Sequence, residues 1–169
     1  YDPRAWLLPE RRHAGSWDSL MDQPPLPPQI LPIEARWCLE QRPSLCIELE
    51  VADQPHEQRL GLMQRPALPP LRGMWFPARP SRPMRFWMHN TLAPLDMVFV
   101  RDGRVLDIAS NVPVCGALPC SSYWADADGN GRADFADGVI EIGAGEAERL
   151  HIHAGDAVVI EPISTRWQH

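Results

Sequence analysis

The sequence lacks lysine altogether, and all 16 of its basic residues are arginine. This absence excludes the lysine amine as a nucleophile or base. The 22 acidic residues leave a formal net charge of −6 at pH 7, and the arginines form no basic stripe. Because a nucleic-acid surface needs clustered positive charge, we expect no nucleic-acid partner.

Long hydrophobic runs are also missing. No segment reaches the ~18 apolar residues that are needed to cross a bilayer. The chain begins at Tyr1 rather than Met, which indicates a trimmed or processed sequence. We therefore expect attachment to a membrane only through a signal or lipid anchor upstream of Tyr1.

Cysteine is scarce, and the four cysteines form two close pairs, Cys38 with Cys46 and Cys115 with Cys120. Neither pair has the two-residue spacing of a zinc knuckle. Each pair can close a small disulfide loop, which predicts an oxidising compartment and hence an exported protein of the periplasm or cell envelope. The alternative is four buried, reduced thiols in a cytosolic protein.

Proline is abundant at the N-terminus. Residues 1–33 contain seven of the nineteen prolines, including the run PPLPP. Such a segment favours extended polyproline geometry and cannot bury a periodic apolar face. We predict a proline-rich tether over residues 1–33, a domain over residues 34–162 and a tail over residues 163–169. Part of the tether can pack back onto the domain.

Alternation of apolar and polar residues predicts strands through most of the domain. One short helix is predicted to start at Pro55 with Asp53 as its N-cap, and a second to cover GEAERLHIH. Asp102-Gly103 is typical of a two-residue hairpin turn. The predicted strands are ARWCLEQ, LCIELEVA, GMWF, RFWM, DMVFV, RVLDI, GVIEI and DAVVIEP. Because no βαβ rhythm is visible, we predict a mainly β fold, a compact β-sandwich or barrel-like domain with two short helices.

The run DADGNGRADFAD, from Asp126 to Asp137, offers a nearly complete set of calcium ligands. In a twelve-residue EF-hand loop, oxygen ligands recur along the loop and a glycine, here Gly131, forms the sharp bend. The predicted ligands are Asp126, Asp128, Asn130, the Arg132 carbonyl, Asp134 and Asp137. We therefore expect calcium as the cofactor of this loop.

Three features of the same run favour a plain loop instead. Asp137 stands where a longer glutamate normally makes bidentate contact. Ala133 occupies the position of a branched apolar residue, and GVIEI follows the loop where an EF-hand has its exit helix. The alternative is therefore a solvated turn rich in Asp, Asn and Gly.

Four segments in order make residues 49–160 resemble the domain-of-unknown-function family 192. They are RLGLMQRPALPPLRGMWF (59–76), FWMHNTLAPLDMVFV (86–100), NVPVCGALPCSSY (111–123) and LHIHAGDAV (150–158). The resemblance implies a compact, mainly β domain that often occurs in exported or lipid-anchored proteins, and it implies no reaction. This chain has His89 where the family usually has lysine, and its acidic run is longer than the family's usual connection.

The second of these segments concentrates the chemically versatile side chains. In a strand, Trp87 and His89 point to one face and Met88 and Asn90 to the other. Asn90 and Asp96 can brace tight turns through bonds to the backbone. Alternatively, a ligand pocket is lined by Trp87, Met88, Asn90 and Asp96. A third alternative is a metal-assisted or acid–base hydrolase, with His89 as the base and Asp96 as its orienter or as a metal ligand.

Sulfur and imidazole side chains have both a structural and a functional interpretation. Thioethers are soft ligands that suit copper(I), but the methionines lie scattered in apolar runs, which favours core packing. They are Met63, Met74, Met84, Met88 and Met97. His151 and His153 have the spacing of a strand-borne metal site, but no third ligand is identifiable, so we expect them to be exposed.

Aromatic side chains allow one more function. Trp75, Trp87, Tyr123 and Trp124 can form a stacking surface for sugar rings, or they can fill the core of a small β domain. Taken together, the patterns predict an exported β domain that acts as a binding or accessory module of the cell envelope. The expected partner is a small ligand, a glycan or an envelope protein.

Overall fold

A computed structural model describes residues 26–163 of the chain. It contains nine strands and two helices in that part of the chain. The strands are β1 (Ile33–Leu39), β2 (Arg42–Val51), β3 (Arg72–Pro83), β4 (Phe86–Trp87), β5 (Leu95–Arg101), β6 (Arg104–Val112), β7 (Ser122–Tyr123), β8 (Phe135–Gly143) and β9 (Ile160–Pro162). The helices are α1 (Pro55–Leu60) and α2 (Glu146–Arg149). Neither helix is long and apolar enough to span a bilayer.

Seven of these strands form one mixed sheet in the order β6-β5-β8-β3-β2-β1-β9, and β4 and β7 form a second, small sheet. All pairs are antiparallel except β2 and β3, which are parallel and are joined by the crossover that contains α1. The prediction of a compact, mainly β domain with two short helices is confirmed, although the large sheet is not closed into a barrel. The β2–α1–β3 segment forms a βαβ unit, which the sequence patterns did not predict.

The large sheet separates two apolar clusters, one on each face. On β8, Val139 belongs to the first cluster, whereas Ile140 and Ile142 belong to the second. The small sheet covers the first cluster through Phe86, whose ring makes an edge contact with Phe76 at 5.2 Å between centroids. Because both faces of β5 and β8 are covered, any charged side chain in the middle of these strands is buried.

The chain after α2 contacts both ends of the sheet. β9 pairs with β1, and the Val105 amide of β6 donates to the Asp156 carbonyl at 2.8 Å. The predicted strand DAVVIEP is therefore shortened to Ile160–Pro162, since its first residues bond to β6 instead of extending β9.

Several local predictions are confirmed by the backbone. Cys38 lies opposite Cys46 across the β1–β2 pair, and both predicted disulfides are present, Cys38–Cys46 and Cys115–Cys120. Asp102 and Gly103 have positive φ of 51° and 70°, as a two-residue hairpin turn between β5 and β6 requires.

Other local predictions need correction. The N-cap of α1 is Gln54 rather than Asp53, because the Gln54 amide bonds to the Glu57 carboxylate at 3.0 Å and Pro55 begins the helix. The helix predicted over GEAERLHIH ends at Arg149, and His151 adopts a left-handed φ of 52°. The predicted strand RFWM is limited to Phe86–Trp87.

The predicted tether lies mostly outside the described residues, as do residues 164–169 of the predicted tail. Its last part, however, is packed on the domain. The Gln29 side chain donates to the carbonyls of Glu57 and Gly61 at 2.8 and 2.9 Å, and the Leu31 amide donates to Glu50 at 2.8 Å. These bonds hold the last residues of the predicted tether against the domain.

Candidate functional site

A narrow slot opens on the first-cluster face of the sheet, between the end of α1 and β4. It is lined by residues 59–63, Phe76, Trp87, Met88, Thr91, Leu95 and Glu141. The space inside is enough for roughly one water-sized molecule. We call it the Glu141 slot, because Glu141 is its one buried ionisable side chain and Arg59 is an exposed one.

Two turns bring the walls of the slot together. Gly61 has a φ of 47°, and a Cβ at this position would lie 3.3 Å from the Phe76 ring, so glycine lets the end of α1 approach β3 closely. Asn90 also has a positive φ, of 57°, and its carbonyl accepts the Gln64 amide at 2.8 Å. The two motif segments that were far apart in sequence are thereby tied to each other at the slot.

Glu141 is the central group of the slot. Its side chain is 5% exposed. Burial, the largest effect, raises its pKa from the ordinary 4.5 to about 7, against the positive charge of the chain's N-terminus, which lowers it. No side chain or amide among residues 26–163 donates a hydrogen bond to its carboxyl group. Sequence reasoning missed this residue. The available signal was a lone charge inside the apolar strand GVIEI, which must be buried if both faces of the strand are covered.

Asp96 has a structural environment instead. It is 1% exposed, and its carboxylate accepts three backbone amides, from Asn111 at 2.8 Å, Gly145 at 3.1 Å and Ala147 at 2.9 Å. These bonds join β5 to β6 and to the start of α2. The turn-bracing interpretation of Asp96 is the one that agrees with this geometry.

The structure does not bring His89 and Asp96 together. The His89 ring is tilted against the ring of Trp87, with 4.7 Å between centroids, and Trp87 lines the slot. Asp96 alternates with Leu95 and Met97 on β5 and therefore points to the opposite face of the sheet. Of the predicted ligand-pocket residues, Trp87 and Met88 line the Glu141 slot, Asn90 forms its turn, and Asp96 lies away from it.

The acidic run is only partly assembled as predicted. Oxygen atoms of Asp126, Asp128 and Asp134 lie within 4.8 Å of one another. Asp126 accepts the amides of Asn130 and Gly131 at 2.9 Å each, and the Asn130 side-chain oxygen accepts the Arg132 amide at 2.8 Å.

Asp137 does not join this cluster. It lies in β8 and accepts the Asp102 amide at 2.7 Å. Since β8 already begins at Phe135, the chain is extended where an EF-hand loop would still curve back toward its ion. The twelve-residue ligand frame is therefore not kept at its last position.

The remaining candidates are separate from the slot. His151 and His153 are exposed and line a cleft beside the β1–β2 turn. Among residues 26–163, the aspartate cluster is the only group of three His, Cys, Asp or Glu side chains with metal-ligand spacing. Trp75 packs over Gly138, and Trp124 lies under the Arg85 guanidinium at 4.6 Å, so these tryptophans do not extend the slot into a common aromatic surface.

Comparison with known proteins identifies the family. Residues 38–160 match DUF192, described as uncharacterized ACR. The chain belongs to the DUF192 family. This match confirms the resemblance seen over residues 49–160 and covers the slot and both disulfides. No curated protein matches the chain.

Two solved structures resemble this DUF192 domain. One, from Sinorhizobium meliloti 1021, is described as a "putative transcription regulator"; it is 27% identical, has a TM-score of 0.61, and the match covers 75% of this chain and 92% of that one. The other, a protein of unknown function from Novosphingobium aromaticivorans DSM 12444, is 30% identical with a TM-score of 0.62, over 79% and 93% of the two chains. They support the fold and assign no activity to it.

Proposed function

We propose that this DUF192 domain is a binding module that takes one small cation into the Glu141 slot. The observation that carries the proposal is the buried Glu141 carboxyl, which has no hydrogen-bond donor among residues 26–163. Buried polar groups in proteins almost always have a partner. A carboxyl group that receives no hydrogen bond from residues 26–163 and that lines a slot is a candidate ligand contact.

The charge of the ligand follows from the chemistry of Glu141. An ionised carboxylate in an apolar cavity loses its hydration, and a cation placed beside it offsets that loss. The attraction is stronger there than in water because the walls of Phe76, Leu95 and Met88 have a low dielectric constant. Two positive charges oppose the cation. Arg59 is exposed and is screened by solvent, and the charge of the chain's N-terminus lowers the pKa of Glu141 by less than burial raises it.

Binding is favoured over hydrolysis by the content of the slot. His89 and Asp96, the predicted hydrolase pair, lie on different faces of the sheet. The one hydroxyl that lines the slot, that of Thr91, donates to the His89 carbonyl at 3.4 Å instead of to the nitrogen of a basic side chain. A nucleophile needs such a base for activation.

The two disulfides support a location outside the reducing cytosol, and we propose the periplasm or cell envelope as the working compartment. The Sinorhizobium meliloti protein is described as a "putative transcription regulator". We propose no nucleic-acid role for this chain, because it carries a net charge of −6 and no basic stripe.

The test is a cation panel measured by thermal unfolding of the full chain at pH 8, where Glu141 is ionised. The panel contains sodium, potassium, ammonium, methylammonium, magnesium, calcium and silver(I) as nitrates at constant ionic strength. We expect at least one cation to raise the unfolding midpoint by about 5 to 10 °C at about 100 times its dissociation constant.

The variant Glu141→Gln should lose this response while it keeps its fold, because glutamine has nearly the same volume and no charge. Glu48→Gln, at an exposed position of β2, is the matched control and should respond like the wild type. The proposal would be overturned if the unfolding midpoint of the wild type were the same with every cation, or if Glu141→Gln kept the wild-type response.

A further inference from the structure

Methionine side chains surround Glu141. In the large sheet, Glu141 lies directly opposite Met74 on one neighbouring strand and Met97 on the other. Such cross-strand partners point to the same face, with Cβ atoms roughly 5 Å apart. Met63 and Met88 line the slot together with Glu141. Four of the six methionines of the chain therefore border one buried carboxylate.

The two methionines that line the slot come from different segments. Met63 follows α1 and is half-buried, whereas Met88 follows β4 and is 1% exposed. The turn at Asn90 connects these segments through its bond to Gln64. Two methionines and one glutamate thus line a space for roughly one water-sized species.

Thioether sulfur is a soft ligand, and in proteins it selects copper(I)-type ions over sodium, magnesium or calcium. All four cysteines of this chain are held in disulfides, so thiolate ligands are absent. Soft coordination in this domain therefore depends on methionine. The Glu141 carboxylate supplies the negative charge that neutral thioethers lack.

We infer that the cation taken into the Glu141 slot is a soft monovalent metal ion of the copper(I) class, held by the thioethers of Met63 and Met88 and neutralised by Glu141. This inference rests on the proposed cation-binding function and names its ligand class. Met74 and Met97 flank Glu141 from the sheet and keep the surroundings of the ion apolar.

Core packing alone would also place methionines in an apolar cluster. Met84 represents that case, since it is fully buried in the same cluster but does not line the slot. It supplies the matched control. Leucine replaces methionine with little change in volume, so the substitution removes sulfur while the packing is kept.

The experiment is a titration of the full chain, with both disulfides formed, with silver(I) nitrate in chloride-free buffer. Silver(I) is a redox-stable probe for the copper(I) class. Binding is followed by NMR of ¹³C-methyl-labelled methionine. We expect the methyl signals of Met63 and Met88 to move with one equivalent of silver(I), while that of Met84 stays in place.

The variants measure how much each ligand contributes. Met63→Leu, Met88→Leu and Glu141→Gln should each weaken silver(I) binding by about tenfold or more, and Met84→Leu should leave it unchanged. Met63 is half-buried, so Met63→Leu gives a folded variant even if Met88→Leu lowers the stability.

The outcomes separate this inference from the function on which it rests. If an organic or hard cation stabilises the wild type through Glu141 while silver(I) leaves the Met63 and Met88 signals unmoved, the soft-metal inference is wrong and the cation-binding function stands. If no cation binds through Glu141, both proposals fail.

Discussion

Two buried carboxylates on neighbouring strands have different roles. Asp96 of β5 accepts three backbone amides and thereby joins β6 and α2 to the sheet. Glu141 of β8 has no such donor among the described residues and faces an open slot. Chemical type does not distinguish them. The face of the sheet to which each points decides whether the carboxylate meets amides or a cavity.

At this residue scale we predict an unusual pH dependence of stability. The pKa of Glu141 is about 7 in the folded protein and has an ordinary value of 4.5. The unfolded chain therefore binds fewer protons than the folded one between these values. The raised pKa of Glu141 therefore stabilises the folded protein by about 3 kcal/mol below pH 4.5, and this stabilisation is lost as the pH rises through 7.

Urea unfolding of the wild type and Glu141→Gln from pH 4.5 to 8 measures this contribution, since glutamine mimics the protonated carboxyl group. We expect the variant to gain stability relative to the wild type as the pH rises. Glu48→Gln is the control and should run parallel to the wild type. A constant difference between Glu141→Gln and the wild type would show that the burial of Glu141 does not shift its pKa.

At the scale of elements, the start of β8 separates Asp137 from the other predicted calcium ligands, which lie in the acidic loop. The strand begins at Phe135, and Asp137 is already engaged with the β5–β6 turn. Asp126, Asp128 and Asp134 remain close together before the strand. Calcium binding by this loop stays a prediction, and the structure sharpens which residues test it.

We predict that calcium raises the unfolding midpoint and that Asp126→Asn abolishes the increase. At about 100 times its dissociation constant, calcium would add about 2.7 kcal/mol to the free energy of unfolding. Asp137→Asn should keep the response, because Asp137 lies outside the cluster. Thermal unfolding with calcium and then with a chelator checks both variants. Loss of the response in Asp137→Asn alone would instead support the original EF-hand frame.

At the scale of the whole molecule, the sheet is completed at its ends by segments that are distant in sequence. β9 pairs with β1, and residues 155–158 bond to the start of β6. The Cys38–Cys46 bridge holds the β1–β2 pair near the β9 end. The Cys115–Cys120 bridge closes the loop between β6 and β7.

We predict that each disulfide stabilises the domain, because each restricts the unfolded chain. Replacing either pair with serine should lower the free energy of unfolding by about 2 to 3 kcal/mol. Denaturant unfolding with and without reductant measures the effect. The control is a variant in which both cysteine pairs are replaced by serine, and its unfolding should not respond to reductant. A wild type whose unfolding midpoint is unchanged by reductant would contradict the prediction.

Much of the fold was predictable because its signals are local. Alternation marked the strands, cysteine spacing indicated both disulfides, and Asp102-Gly103 indicated the hairpin turn. The family followed from four ordered motifs. Element ends were less predictable. β9 is shorter than expected because residues 155–158 bond to β6 and its turn. α2 ends at Arg149, just before His151, which has a left-handed φ.

The site depended on the tertiary structure. The sequence determined which side chains carry chemistry, since Glu141, Met63 and Met88 are visible as residue types in their segments. It could not show that they meet, because their proximity requires the α1 crossover, the Asn90 turn and the register of β8 at the same time. The same long-range pairing separated His89 from Asp96, which local spacing had placed together. Asp96 points to the second-cluster face of the large sheet, whereas His89 contacts Trp87, which lines the Glu141 slot on the first-cluster face.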